Sequence, residues 1–129
     1  MKKNIAVIGC GHWGKNLLRN FSELEVLTCV CDPNVELAES FASQYKVDNV
    51  SFDQVVNNSD VDGVVLAVPA PLHAPLAIKA LGAGKHVYVE KPLAMNQVEA
   101  QQVIDASVAS GQHLMVGHLL QYHPVFVTL

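Results

Sequence analysis

A chain of 129 residues, half of them hydrophobic and 16% charged, has room for one domain with its own core and too little length for two ordinary ones. The formal charge of −4, from 8 Lys plus Arg against 12 Asp plus Glu, provides no broad basic surface and so excludes nucleic acid and anionic lipid as partners held by charge. Met1-Lys2-Lys3 leads straight into a strand pattern, and the longest apolar region, 63–78, carries His73 and three prolines, so neither a signal peptide nor a membrane span is expected; the expected location is the cytoplasm.

Ile5-Ala6-Val7-Ile8 reads as a buried strand that runs directly into Gly9-Cys10-Gly11-His12-Trp13-Gly14. Glycines in this spacing, between a strand and a helix, suit a dinucleotide. A diphosphate must approach backbone N–H groups more closely than a Cβ allows, and the helix that follows points its positive end at the phosphates. The same spacing also serves tight turns and close helix packing, so its setting decides its meaning.

A helix from about Trp13 to Phe21 follows, with Leu17, Leu18 and Phe21 inward at helical spacing. Residues 25–31 read as a second strand, closed by Asp32-Pro33. Asn34 caps a helix over 35–45 whose Leu37, Ala38, Phe41 and Ala42 form the buried stripe. A short strand is expected at 49–51, then a helix capped by Asp53 and running through Val56. A central strand over 61–68 ends at Pro69, and Pro71 begins a helix that carries Leu76, Ile78, Ala80 and Leu81 and stops at Gly82-Ala83-Gly84. A fifth strand covers 86–90, a long helix 97–110 lies between Asn96 and Gly111, and a sixth strand covers 114–117. Strict alternation of this kind predicts an α/β fold, a doubly wound parallel sheet (Rossmann fold) of about six strands with helices on both faces. Ligands in such sheets bind beyond the C-terminal strand ends, which directs attention to 9–14, Asp32, 68–73, 90–92 and 117–123.

Asp32 stands at the end of the second strand, where a carboxylate accepts hydrogen bonds from an adenosine ribose. It favours NAD over NADP, since a 2'-phosphate is repelled there and Pro33, Asn34 and Val35 supply no cation to hold one. The alternative is that Asp32 only starts the Asp-Pro turn. Cys10, Cys29 and Cys31 lack zinc-ligand spacing and read as buried reduced thiols, and no cluster of His, Cys and carboxylates has the spacing of a metal site. Cys10 lies beside a helix N-terminus, a setting that lowers a thiol's pKa. In Glu90-Lys91-Pro92 a lysine at a strand's C-terminal end aims an ammonium at the crevice, where it can hydrogen-bond a substrate hydroxyl and stabilise the negative charge that develops as a hydride leaves. A solvated lysine before a strand-ending proline is the simpler alternative.

The glycine loop, Asp32, the segment from Ala67-Val68-Pro69 to His73, Gly84-Lys85-His86-Val87 and above all Glu90-Lys91-Pro92-Leu93-Ala94 resemble the Gfo/Idh/MocA oxidoreductases, over Ile5 to Pro124. The resemblance implies an N-terminal NAD(P)-binding domain, here 1–129, whose C-terminal α/β partner domain supplies most of the substrate site. It also implies reversible hydride transfer at a carbon of a sugar, cyclitol or related polyol. Carried over by residue, it makes Lys91 catalytic, implies a cis peptide before Pro92, and gives cofactor contacts to Gly9, Gly11, His12, Trp13, Gly14, Asp32, Val68, Pro69, His73, Glu90, Lys91 and Pro92. The family often shows Thr-Pro-Asn where this chain has Val68-Pro69-Ala70, and an arginine where Gln121 stands. The tail 116–124 is similar to the members that act on UDP-N-acetyl sugars, with His118, Gln121 and Tyr122 as substrate-lining candidates. His86 and His113, at strand starts on the opposite end of the sheet, read as structural.

The sequence reaches Leu129 inside an apolar run, and the family's remaining proton-relay residues, an Asp and a His, come from the second domain. The expectation is therefore a cofactor domain that binds NAD(H) with negligible turnover, taken from a homo-oligomeric enzyme acting on a sugar or nucleotide sugar. Two alternatives remain at this point. One is a stand-alone NAD-sensing module; the other is a methyltransferase, which also places glycines after strand one and an acid after strand two.

Overall fold

Four-residue and five-residue apolar runs set the length of the central strands, and the short polar turns between them set the order. The computed structural model describes residues 3–11 and 14–117. In chain order the elements are β1 (Ile5–Ile8), α1 (Gly14–Glu23), β2 (Leu27–Cys31), α2 (Val35–Tyr45), β3 (Asp48–Asn49), α3 (Phe52–Asn57), β4 (Gly63–Leu66), α4 (His73–Gly82), β5 (His86–Glu90), α5 (Gln97–Ser110) and β6 (Leu114–Gly117). They build one six-stranded sheet in the order β3-β2-β1-β4-β5-β6, with every pair parallel. This is the doubly wound arrangement expected from the alternation.

Alternation along each strand divides the core in two. Ala6, Ile8, Val64, Leu66, Val87 and Val89 pack with Val55 and Val56 of α3, Ala77 and Leu81 of α4 and Val103 of α5. On the other face Val7, Val65 and Tyr88 cluster with Leu17, Leu18 and Phe21 of α1 and Ala38 and Ala42 of α2. Small residues along α4 (Ala74, Ala77, Ala80) bring its backbone close to the sheet, while Leu76 and Ile78 sit half-buried at its flanks. Among the described residues no helix is long and apolar enough to cross a membrane.

Several boundaries differ from expectation for local reasons. β2 begins at Leu27 because Glu25 takes a left-handed φ of 62°, which closes the turn after α1 and breaks the extended run. α3 is capped by Ser51, not Asp53: the Ser51 hydroxyl accepts from the Gln54 N–H (3.1 Å) and the Gln54 side chain accepts from the Ser51 N–H (2.8 Å), a complete capping box. β3 pairs through Asp48 and Asn49, one residue earlier than expected. β4 is limited to 63–66 because its partner β1 is only four residues long, registered from Ile5 with Gly63 to Ile8 with Leu66. Pro71 lies in a single 3-10 turn, Ala70–Leu72, and α4 proper starts at His73. The caps at Asn34, Asn96 and Gly111 and the bounds of β5, α5 and β6 are as the sequence indicated.

Candidate functional site

Strand order reverses between β1 and β4, and the crevice of a doubly wound sheet opens at the C-terminal ends of the strands at that point. β1 delivers the glycine loop there, and the glycines do three different jobs. Gly9 has φ +99°, donates its N–H to the Cys31 carbonyl (2.7 Å) and passes so close to the Ala67 carbonyl that a Cβ would strike it. A Cβ on Gly14 would collide with the Gly9 carbonyl, so this glycine seats α1 on its own loop. Gly11 is exposed, and among the described residues a Cβ there would meet nothing within 4 Å. Packing explains Gly9 and Gly14; it does not explain Gly11, whose bare backbone faces open space at the head of α1. A diphosphate brought against that backbone fits this arrangement.

Asp32 follows β2 and is tied in twice. Its Oδ2 accepts from the Cys10 N–H (2.7 Å) and its Oδ1 from the Asn34 N–H (2.8 Å). Turn formation and loop support are thus one arrangement, and each carboxylate oxygen keeps a lone pair for a further donor. Cys10 is the buried free thiol expected, without the activation that a helix N-terminus can give. Its side chain is buried, and burial pushes the thiol up to about 12, with the Asp32 carboxylate and Cys31 adding to the effect. Desolvation outweighs the nearby helix N-terminus, so the thiol is unreactive rather than activated.

The other half of the crevice is formed by the turns after β4 and β5. The Lys91–Pro92 peptide is cis. Lys91 donates its backbone N–H to the Gly117 carbonyl (2.8 Å), which continues the β5–β6 pairing by one bond, and its side chain is exposed. His73, 2% exposed, lies under both turns: Nε2 is 2.8 Å from the Val68 carbonyl oxygen and Nδ1 2.6 Å from that of Pro92. Its ring therefore meets the crevice through the backbone that it holds. Val68 is half-buried and Pro69 exposed.

Tyr88 was not among the sequence candidates, and Gly117 entered only as the first residue of the stretch 117–123. The buried Tyr88 hydroxyl donates to Glu90 Oε1 at 3.4 Å, and the tip of its ring occupies the place where a Cβ on Gly117 would be. Burial pushes the Tyr88 phenol up, with the Glu90 charge and hydrogen bond adding to it. A glycine at a strand's C-terminal end was the available signal, but its partner lies on the neighbouring strand and so has no local trace.

At the opposite end of the sheet His86 and His113 stack with ring centroids 5.1 Å apart, and His86 Nδ1 accepts from the His113 N–H (3.0 Å). These are the strand-start positions read as structural. Among the described residues no group of three His, Cys, Asp or Glu could hold a metal ion. His12, Trp13, His118, Gln121 and Tyr122 lie outside the described residues.

The sequence pattern of the Gfo/Idh/MocA group, described as an oxidoreductase family with an NAD-binding Rossmann fold, matches residues 3–118. The chain is 34% identical over 122 residues to 2,7-anhydro-N-acetylneuraminate hydratase of Escherichia coli, covering 92% of this chain and 32% of that one. It is 30% identical over 137 residues to inositol 2-dehydrogenase of Salmonella typhimurium, covering 100% of this chain and 40% of that one. Among solved structures, UDP-N-acetylglucosamine 3-dehydrogenase GnnA of Acidithiobacillus ferrooxidans superimposes with a TM-score of 0.88 at 28% identity, over 99% of this chain and 42% of that one. The chain thus spans about a third of the length of the first of these relatives.

Proposed function

Because the chain belongs to the Gfo/Idh/MocA oxidoreductase family, we propose that it is the cofactor-binding domain of an enzyme that moves a hydride between nicotinamide and a carbon of a sugar, nucleotide sugar or polyol. The observation that carries this reading is Gly11, whose place packing among the described residues leaves unexplained. Family membership sets aside the methyltransferase alternative. It does not set the net reaction, since one relative bears the name of a hydratase. Hydride transfer is inferred from the exposed lysine at the end of β5.

In this reading Gly11, with His12 and Trp13 of the same loop, meets the diphosphate, Gly9 and Gly14 shape the turn that brings this backbone to it, and Asp32 accepts the adenosine ribose hydroxyls with the lone pairs that Cys10 and Asn34 leave over. The carboxylate opposes a 2'-phosphate, so NAD is the preferred cofactor and NADP the poorer one. Val68, Pro69, Glu90 and Pro92 border the nicotinamide end, where the bound cofactor supplies the hydride acceptor or donor. Lys91 Nζ donates a hydrogen bond to the reacting oxygen and stabilises the negative charge on it, while the hydroxyl proton leaves to the relay that the second domain supplies. His118, Gln121 and Tyr122 line the substrate.

Relatives are about three times longer, so residues beyond the matched region position the substrate carbon. Orientation of that kind accounts for several kcal/mol of a barrier, and this chain by itself binds NAD(H) with negligible turnover. The complete enzyme is a homo-oligomer of the cytoplasm, a compartment in which its free thiols stay reduced.

The test is Lys91→Met in a polypeptide of the relatives' length carrying this domain, assayed by nicotinamide absorbance with inositol and UDP-N-acetylglucosamine. A fall in kcat of about 10²-fold or more with cofactor affinity retained is expected; an unchanged kcat removes Lys91 from the chemistry.

A further inference from the structure

We propose that His73 is the positioning residue of this crevice, a buried ring that sets the Lys91-Pro92 turn against the Val68-Pro69 turn. The inference rests on the reading of these turns as the nicotinamide end of the site.

His73 is the first residue of α4, and its two partners lie 5 residues before it and 19 after it in sequence. Val68 follows β4 and Pro92 follows β5, two strands paired in register from Gly63 with His86 to Leu66 with Val89. The turns therefore leave the sheet side by side, and the imidazole spans the gap between them. Both partners are carbonyl oxygens, at 2.8 and 2.6 Å. A ring with hydrogen on both nitrogens serves both at once, and a ring with one N–H serves one at a time. A histidine that merely filled core volume would need neither contact.

Two further features agree. No side-chain cap is present at the N-terminus of α4, a position that ordinarily takes Ser, Thr, Asp or Asn; the polar group of its first turn is directed at the two loops instead. The backbone is also held on both sides of the lysine. The Lys91 N–H is bonded to the Gly117 carbonyl of β6, and the carbonyl of the following residue, Pro92, meets His73. The root of the Lys91 side chain is thereby fixed while its ammonium remains exposed to a ligand. His73 touches neither cofactor nor substrate; it acts through the two turns.

The experiment compares NADH with ADP-ribose, which keeps the diphosphate and adenosine but lacks the nicotinamide, by calorimetric titration of this chain and its His73→Phe and His73→Gln variants. Phenylalanine keeps the ring and loses both hydrogen bonds; glutamine keeps a donor that can serve one carbonyl. The wild type should bind NADH more tightly than ADP-ribose. His73→Phe should weaken NADH about fivefold or more, as loss of at least one net hydrogen bond implies, and leave ADP-ribose within about twofold, with His73→Gln between the two. A general loss of structure would weaken both ligands together. An unchanged ratio of the two affinities in the variants overturns the proposal. If His73→Phe does not fold, His73→Gln carries the same comparison, and an unchanged ratio again overturns it. A wild type that binds both ligands equally defeats the positioning role alone, whereas one that binds neither defeats the cofactor reading beneath it.

Discussion

Lys85 and Lys91 flank the same strand, β5, and are used in opposite ways. At the N-terminal end Lys85 is 4% exposed, and its ammonium donates to the Asn58 carbonyl at 2.6 Å and the Val61 carbonyl at 2.8 Å, holding the connection from α3 into β4. At the C-terminal end Lys91 is anchored by its backbone to β6 and presents its side chain to solvent beside the strand-order reversal. The same residue type is buried and bonded where the lower end of the sheet is closed by backbone, and exposed where the upper end is open.

That contrast can be broken from either side. Lys85→Met keeps the stem, takes the ammonium donor from the Val61 carbonyl and leaves the Asn58 carbonyl with only the Val61 N–H (3.1 Å), so the unfolding midpoint in urea should report a loss of about 3 kcal/mol, with NADH affinity unchanged while the chain is folded. Lys91→Met, by contrast, should leave stability within about 0.5 kcal/mol. A Lys85 variant as stable as the wild type would remove its structural role.

The glycine loop sharpens the same distinction on a smaller scale. Gly14→Ala drives a methyl into the Gly9 carbonyl and should cost about 2 kcal/mol of stability. Gly11→Val meets open space; stability should hold within about 0.5 kcal/mol while NADH affinity falls tenfold or more, about 1.4 kcal/mol. A Gly11→Val variant that binds NADH like the wild type would show that the open space is not where the diphosphate lies.

The smallest effect belongs to the closed end of the sheet. Burial holds His86 below the ordinary histidine value, with His113 and Lys3 adding to the effect and Asp62 opposing it. The unfolded chain therefore takes up the proton first as pH falls. The contribution is complete above the ordinary value near 6.5 and is lost as pH drops from there through the lowered folded value. Stability should decline modestly over that window, and His86→Asn, which keeps an acceptor for the His113 N–H, should flatten the decline. An identical slope in the variant would assign the effect elsewhere.

Much of the fold is legible because its signals are local. Asn34, Asn96 and Gly111 act within one turn of where they stand, and the β5 and β6 runs are bounded by their own neighbours. The α3 cap is Ser51 and not Asp53, and the spacing of Ser51 and Gln54 carries the capping box. Glu25 in a left-handed turn had no sequence mark, since the chain spends no glycine there. In the site, the loop and the lysine are legible as positions. The contacts of Cys10 with Asp32, Tyr88 with Gly117 and His73 with two carbonyls join residues brought together by parallel pairing and crossover, and a linear pattern holds no record of them.

The proposed hold on NAD through the loop and Asp32 is open to titration of the chain with NADH and NADPH under identical conditions. NADH should bind, and NADPH should bind at least about tenfold more weakly, a difference of about 1.4 kcal/mol. Equal or tighter binding of NADPH would contradict the role given to Asp32, and binding of neither would contradict the site itself.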